Sequence, residues 1–444
     1  MKTFHIGGVH PQDKKLNIEA PSSLLPLPKQ VCVMVNQHLG APSQILVKKG
    51  DMVKVGQLLT SNEAFLGSVV HSPVSGIVNK IGEAIDTSLY PKAAIYIDVE
   101  GDQWEDFIDQ SPEIKREIVL SKAEIIQRIK EMGIVGLGGA CFPTHVKINI
   151  PKTCKAEYLL INGVECEPFL TDDYRLILEK GEEILIGISI LMKALEVKQA
   201  LIGIENNKPK AIAYLSELAK SFPGISVHPL KMKYPQGAEK QLIKALVNKE
   251  VPSGKLPISV GCVVNNVGTC QAVYQAVQKH KPLVERMVTV TGVQVAEPRN
   301  FWVRIGTPIS ELIEACGGLP KDTAKIISGG PMMGKALSDI NTPVTKGVSA
   351  VLLVPEAEAH RREVHPCIRC GKCVEACPMG LEPYLISASV EHGYFDRTEN
   401  AKIMDCIECG CCQYTCPSNR YLLDNLRMGK ATVGNIIKKR NAKN

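Results

Sequence analysis

Residues 367–378, CIRCGKCVEACP, and residues 406–417, CIECGCCQYTCP, are two copies of one spelling set 39 residues apart. Each reads Cys-x2-Cys-x2-Cys-x3-Cys-Pro, the run of a two-cluster bacterial ferredoxin module. Three close cysteines grip one [4Fe–4S] cube, and the fourth, just before proline, reaches across to the other. That rule assigns Cys367, Cys370, Cys373 and Cys416 to one cluster, and Cys406, Cys409, Cys412 and Cys377 to its neighbour. Zinc or disulfides are the competing reading. Zinc ribbons, however, space two CxxC knuckles by intervening strands, and here each run is continuous. A domain of two [4Fe–4S] clusters is expected over residues 356–420, and a chain that carries one moves electrons.

Working outward, 444 residues are too many for one core and ask for three or four domains. With 45% hydrophobic and 22% charged residues, the composition is that of a soluble globular protein. Thiolate-held clusters require a reducing compartment. The other eight cysteines (Cys32, Cys141, Cys154, Cys166, Cys262, Cys270, Cys316 and Cys411) share no spacing, and most are expected to be small buried side chains. The N-terminus lacks the apolar run of a signal peptide. The most apolar stretch, residues 184–192, is broken at Lys193 and is too short to span a bilayer. Of the net charge of +6, residues 421–444 carry +5, from six basic and one acidic side chain. A solvated, partly helical tail accounts for this, with a docking arm as the sharper reading. Nucleic-acid binding is excluded, because the charge is terminal and has no interleaved aromatics.

Residues 30–99 alternate β-branched residues with turn signals and read as all-β. The turns at residues 47–51 and 72–76 resemble the two halves of a biotinyl/lipoyl-type barrel–sandwich. The tip at residues 62–67 has no lysine, so residues 1–110 are expected to form a structural module without a swinging cofactor. A helix is predicted over residues 118–132, N-capped by Ser121 with Glu124 three residues on. Apolar runs at 158–161, 199–204 and 260–264 then alternate with helical patterns at 182–194, 209–221 and 238–247. That rhythm predicts a parallel α/β domain over residues 111–282. Residues 283–355 read as a small β-grasp-like unit: a strand at 287–292, a helix at 308–316 closed by Gly317-Gly318, and a strand at 326–331.

The second chemical signal is the loop GIVGLGGACFPT, residues 133–144. Gly136, Gly138 and Gly139 let backbone N–H groups approach an anion, as in phosphate cradles. Taken alone, such a loop is more often a structural turn, and it follows a helix where a Rossmann fingerprint follows a strand. Three further polar loops stand at strand–helix junctions: Asn162 to Pro168 with Glu165 and Glu167, Tyr234 to Glu239 with Gly237, and Asn265-Asn266. Ligands bind at such junctions in α/β folds, and four of them in one domain predict a shared pocket.

In order, these four segments resemble the FMN- and NADH-binding motifs of the flavin-carrying subunit of respiratory complex I, and the β-grasp unit resembles the SLBB module that follows it there. The chain as a whole is similar to the RnfC family, the peripheral subunit of Rnf ion-translocating electron transport complexes. Its markers are residues 4–11 (FHIGGVHP), the barrel–sandwich ahead of the flavin domain, and residues 405–410 (DCIECG). The resemblance implies that Gly136, Gly138 and Gly139 line FMN, and that Asn162, Glu165, Asn265 and Asn266 contact the flavin or its ribityl chain. It places Phe142, Lys147, Glu167 and Glu239 against the nicotinamide nucleotide, with Gly237 in the same motif. Cys141 and Val164 stand where the complex I protein has glycine and aspartate. The implied activity is ferredoxin:NAD+ oxidoreduction using NAD(H), FMN and two [4Fe–4S] clusters. The implied partners are integral-membrane and ferredoxin-like Rnf subunits, at the cytoplasmic side of the bacterial inner membrane. The alternatives are a cluster wire or scaffold, a cobalamin reductase of a microcompartment, and a hydrogenase or formate dehydrogenase diaphorase.

Overall fold

The computed structural model describes residues 1–151 and 153–442; Lys152, Lys443 and Asn444, which fall within the expected flavin domain and tail, lie outside the described residues. The chain folds into several bodies, and the apolar core of the α/β body continues into Met287 and Ile305 of the six-stranded one. Strand Gln30–Met34 pairs with one arm of the long hairpin Gly76–Ile85 and Pro91–Val99, and Met52–Val53 closes the other edge. Val31, Val33, Leu59, Val70, Val78, Ile95 and Ile97 fill this barrel–sandwich. At its lysine-free tip, Asn62 Nδ2 donates to the carbonyl of Ala41 (2.9 Å) and its Oδ1 accepts from Ala64 N–H (3.0 Å). The adjoining turn is docked, since Leu39 N–H donates to Cys141 O of the glycine loop.

The next body is a four-stranded parallel sheet in the order Ile225–Leu230, Ala200–Glu205, Tyr158–Asn162, Cys262–Asn266. Helices cover its faces: Lys122–Glu131, Asp172–Leu195, Pro209–Ala219, Glu239–Val247 and Val267–Lys279. The Ser121–Glu124 capping box starts the first of these. The second begins ten residues before the predicted residue 182, through a break at Lys180 (φ −128°) that joins two helical stretches. Edge strand Ile225–Leu230 went unread because Pro229 cannot donate to a ladder; at an edge it does not need to.

A six-stranded mixed sheet includes Glu285–Thr291, Arg299–Arg304, Thr323–Ser328 and Ala350–Pro355, with helix Ile309–Glu314 against it. Its outermost strand is Ser23–Leu24, from the N-terminal segment. Residues 1–24 thus precede the strands of the barrel–sandwich and add none to its sheets. They run as a strap: Lys2 bridges Leu230, Val9 bridges Tyr234, and Lys15 Nζ donates to the carbonyls of Glu165, Glu167 and Leu170. Buried Lys346 links three bodies through Nζ, which donates to Gly133 O (2.7 Å) and Val69 O (2.9 Å).

The tail also departs from expectation. Leu422–Asn441 is one helix whose Leu422, Leu423, Leu426 and Val433 are buried, and it packs on Pro383–Glu391 in the core shared with the cysteine runs. Lys430 Nζ reaches Cys406 O (2.5 Å) and Glu408 (3.2 Å). Arg427 and Lys430 thus lie against the cluster domain, whereas Lys438, Lys439 and Arg440 near the helix end are exposed. No described helix is long and apolar enough to cross a membrane.

Candidate functional site: a strand-end crevice and two cysteine sets

From Tyr158–Asn162 the chain winds outward in one direction through Ala200–Glu205 to Ile225–Leu230. It then returns to place Cys262–Asn266 on the other side of the first strand. Winding thus reverses between these two strands, and a crevice opens beyond their carboxyl ends. Register puts Asn162 opposite Asn266, and Ile161 opposite Asn265, at that edge. The glycine loop lies over it. Gly136 N–H donates to Phe142 O (2.9 Å) and Leu137 N–H to Thr269 Oγ1 (2.9 Å), which pins the loop base. Gly138 and Gly139 are exposed at its tip. Gly139 sits at φ +143°, and a Cβ there would meet no atom within 4 Å, so this backbone faces open space. A Cβ on Gly138 would come to 3.1 Å from Asn266 Cβ.

The amides divide by their hydrogen bonds. Asn162 is spent holding loops together: Nδ2 donates to Gly237 O (2.9 Å) and Oδ1 accepts from Val164 N–H (3.1 Å). Asn266 caps helix Val267–Lys279 by accepting from Gly268 N–H, and donates to Asp173 Oδ2 (2.6 Å). Asn265 differs, because its buried Nδ2 has no protein partner; nor has Thr144 Oγ1, at the end of the glycine loop. Buried polar atoms without partners are rare and call for a ligand or water. With the open backbone of Gly138 and Gly139, they fit the polar edge and phosphate of a bound flavin. On the outer lip, Lys147 Nζ pairs with Glu239 Oε1 (3.1 Å) and donates to Val264 O (2.9 Å); both side chains keep substantial exposure.

Two expected contacts sit elsewhere. Glu165 is buried beneath the crevice floor, where Oε1 accepts from Asp173 N–H (2.8 Å) at the start of helix Asp172–Leu195. Lys15 and Lys208 lie 3.9 and 4.0 Å from its other oxygen. Glu167 turns toward the six-stranded body, and its oxygens accept from Met332 N–H (3.0 Å) and Met333 N–H (2.7 Å). That carboxylate is an interdomain tie rather than a lip facing a nucleotide. Burial raises the Glu167 carboxyl to about 7, against the pull of those two N–H groups. Sequence reasoning passed over Asp173 and Lys208. Lys208, fully buried, donates to Val164 O (2.8 Å) and Asn207 Oδ1 (3.2 Å). The signal was available, since residues 206–209 (NNKP) form one more polar loop directly after a strand.

In the cluster domain, Cys377, Cys406, Cys409 and Cys412 are buried and line one cavity. Leu381 N–H points at Cys377 Sγ and Glu408 N–H at Cys406 Sγ, each at 3.4 Å. Amides aimed at sulfur suit thiolates and help set cluster potentials. Cys367 and Cys370 are exposed, and Cys373 and Cys416 half-buried. Cys411, inside the second run, is fully buried; its Sγ is directed at Tyr234 O (3.9 Å).

Comparison with known proteins places these bodies. Residues 2–102 match the RnfC barrel sandwich hybrid domain, 129–275 the Nuo51 FMN-binding domain, 287–336 the SLBB domain, and 359–417 a 4Fe-4S dicluster domain. Over 391 residues the chain is 45% identical to its relative in the proton-translocating ferredoxin:NAD(+) oxidoreductase complex of Clostridium ljungdahlii, covering 87% of this chain and 84% of that one. This chain belongs to the RnfC family. The counterpart in the Na(+)-translocating complex of Acetobacterium woodii is 39% identical over 96% of both chains. Among solved structures, an NAD+-reducing [NiFe]-hydrogenase shares the fold at a TM-score of 0.52 and 19% identity, covering 70% of this chain and 63% of that chain. The chain is thus an electron-transfer component of a multi-subunit complex, built on an FMN-type domain and a two-cluster domain.

Proposed function

We propose that this chain exchanges electrons between NAD(H) and its two [4Fe–4S] clusters within a ferredoxin:NAD+ oxidoreductase complex, at the cytoplasmic face of the bacterial membrane. Integral-membrane and ferredoxin-like subunits would couple the exchange to ion movement. Bound FMN would accept hydride as an electron pair and release electrons singly, which joins nicotinamide chemistry to one-electron clusters. The residues of the chain bind and orient. Gly138 and Gly139 offer open backbone to a phosphate, Asn265 Nδ2 and Thr144 Oγ1 supply unpaired polar atoms, and Asn162 and Asn266 fix the loops that carry them. Lys147 and Glu239 stand at the lip, where a nicotinamide nucleotide would enter. No side chain is assigned as a general acid or base, since hydride transfer requires none.

The observation that carries this reading is the buried, unpartnered Nδ2 of Asn265 at the winding reversal, beside the open glycine tip. FMN titration of flavin-stripped full-length protein, followed by fluorescence quenching, tests it. Wild-type protein should bind FMN and Asn265→Ala should bind it more weakly. Equal binding by both would remove Asn265 from the site, and no binding by either would favour a cluster wire.

A further inference from the structure

Among the described residues three lysines are buried: Lys208, Lys279 and Lys346. Such a charge is almost never buried without an opposite one. Lys208 lies 3.8 Å from Glu205 and 4.0 Å from Glu165, and Lys279 lies 3.0 Å from Asp109. Lys346 makes no ion pair with any described residue; its Nζ donates to the carbonyls of Gly133 and Val69 alone. The cation beside it is already matched. Arg286 Nη1 donates to Lys346 O (2.6 Å), while its Nη2 lies 3.4 Å from Asp172 Oδ2. Gly133 opens the glycine loop, so the lysine grips that loop at its base. The next residue, Gly347, lies against the tip: a Cβ there would come to 2.8 Å from Cys141 Sγ and 3.8 Å from Gly139 O. Residues 346–347 of the six-stranded body thus back the loop at both ends, beside the open backbone of Gly138 and Gly139. A neutral donor would serve to tie two carbonyls. An uncompensated ammonium calls for an anion that the chain itself does not supply.

We propose that Lys346 supplies the counter-charge for a phosphate ester held at the glycine loop, from a body outside the FMN-type domain. The proposal rests on the reading of this crevice as a nucleotide site. Lys346 is a positioning residue, since it touches the loop backbone and its charge acts through low-dielectric packing. FMN and the nicotinamide nucleotide both carry such a phosphate, and ADP-ribose stands in for the second. Burial lowers the Lys346 ammonium to about 7, against a weaker pull from Cys141. An anion arriving nearby favours the charged form, so binding above that pH takes up a proton. The titratable groups around it stay neutral there: burial lowers His38 and His71 of the barrel–sandwich and raises the Cys141 thiol.

Calorimetric binding of FMN, riboflavin and ADP-ribose to flavin-stripped full-length protein at pH 8 tests this. In wild type, FMN binding should take up protons, read as heats that differ between buffers of different ionisation enthalpy. Riboflavin, which lacks the phosphate, should take up none. Lys346→Met should lose the uptake and bind FMN about tenfold more weakly, with riboflavin affinity kept. Lys346→Arg, which restores the charge, should recover FMN affinity. Should the loss fall on ADP-ribose and spare FMN, the proposal holds with the nicotinamide nucleotide as the source of the phosphate. Equal weakening of FMN and riboflavin would make Lys346 an interdomain tie and overturn the proposal. Unchanged affinity for both FMN and ADP-ribose would overturn it too. If Lys346→Met does not fold, wild type decides: uptake shared by riboflavin, or absent with both phosphate ligands, sinks the idea. Wild-type protein that binds ADP-ribose with proton uptake but never binds FMN would strike the flavin reading and leave the role of Lys346 standing.

Discussion

Tyr234 Oη donates to the carbonyl of Cys409 across 2.9 Å, and the Sγ of Cys411 is directed back at the carbonyl of Tyr234 (3.9 Å). A loop of the flavin-type domain and a ligand segment of the cluster domain are thereby latched in both directions. The contact is buried, so each bond is made in the absence of competing water. Tyr234→Phe keeps the ring and removes the donor, leaving a buried carbonyl short of one partner, at a cost of about 1–3 kcal/mol. Thermal unfolding should show this loss, with iron content unchanged. A stability equal to wild type would mean that the latch contributes nothing.

Glu167 and Glu239, a pair of carboxylates from neighbouring loops, should respond oppositely. Glu167 accepts two backbone N–H groups and ties two bodies together. Gln at 167 can accept at one oxygen only and faces its amide against a donor, so about 1–3 kcal/mol of stability should go. Glu239→Gln breaks a half-exposed pair with Lys147, worth about 0–1 kcal/mol. Its effect should appear as a raised KM for NADH with stability nearly intact. Denaturant titration beside NADH-dependent reduction of an artificial acceptor separates the two.

Asp173 gives a pH dependence. Burial and then the charge of Glu165 raise its carboxyl to about 7, while the Asn266 amide pulls it down. An unfolded aspartate titrates near 4, so between about 4 and 7 the folded chain holds the extra proton. The stability contributed by Asp173 is therefore greatest at the acid end of that window and is lost as pH rises through it. Asp173→Asn keeps an acceptor for Asn266 and removes the titration. It should flatten the fall by up to ~1.4 kcal/mol per pH unit. Unfolding of the full chain at pH 5, 6, 7 and 8 measures it, and identical slopes in both proteins would contradict the assignment.

Cys373→Ala should cost about half of the iron, since Cys373 is a ligand of one of the two four-iron clusters. Iron analysis after anaerobic purification reads this directly, and full iron content would refute the ligand set.

What was legible in the sequence was chemistry with a fixed local spacing. The cysteine runs and the polar loops after strands needed no tertiary knowledge, because ligand geometry and strand ends impose their own patterns. Side-chain direction was not legible. Glu165 and Glu167 were correctly placed after a strand, yet one turns under the floor to cap a helix and the other crosses to another body. Residues 1–24 carry no periodicity, and their role as a strap comes from partners more than 200 residues away, such as Leu230 and Tyr234. The basic tail read as solvated because its charge outweighed a sparse apolar stripe. Leu422, Leu426 and Val433 nevertheless bury that stripe against the cluster domain.

The central claim is that NAD(H) and the clusters communicate through a flavin held in the strand-end crevice. Anaerobic titration of the purified, flavin- and iron-loaded chain with NADH, followed by electron paramagnetic resonance, tests it most directly. The account predicts that NADH reduces both clusters and that removing FMN abolishes this while dithionite reduction persists. Clusters that dithionite reduces but NADH never does, in protein carrying its full complement of FMN, would contradict it.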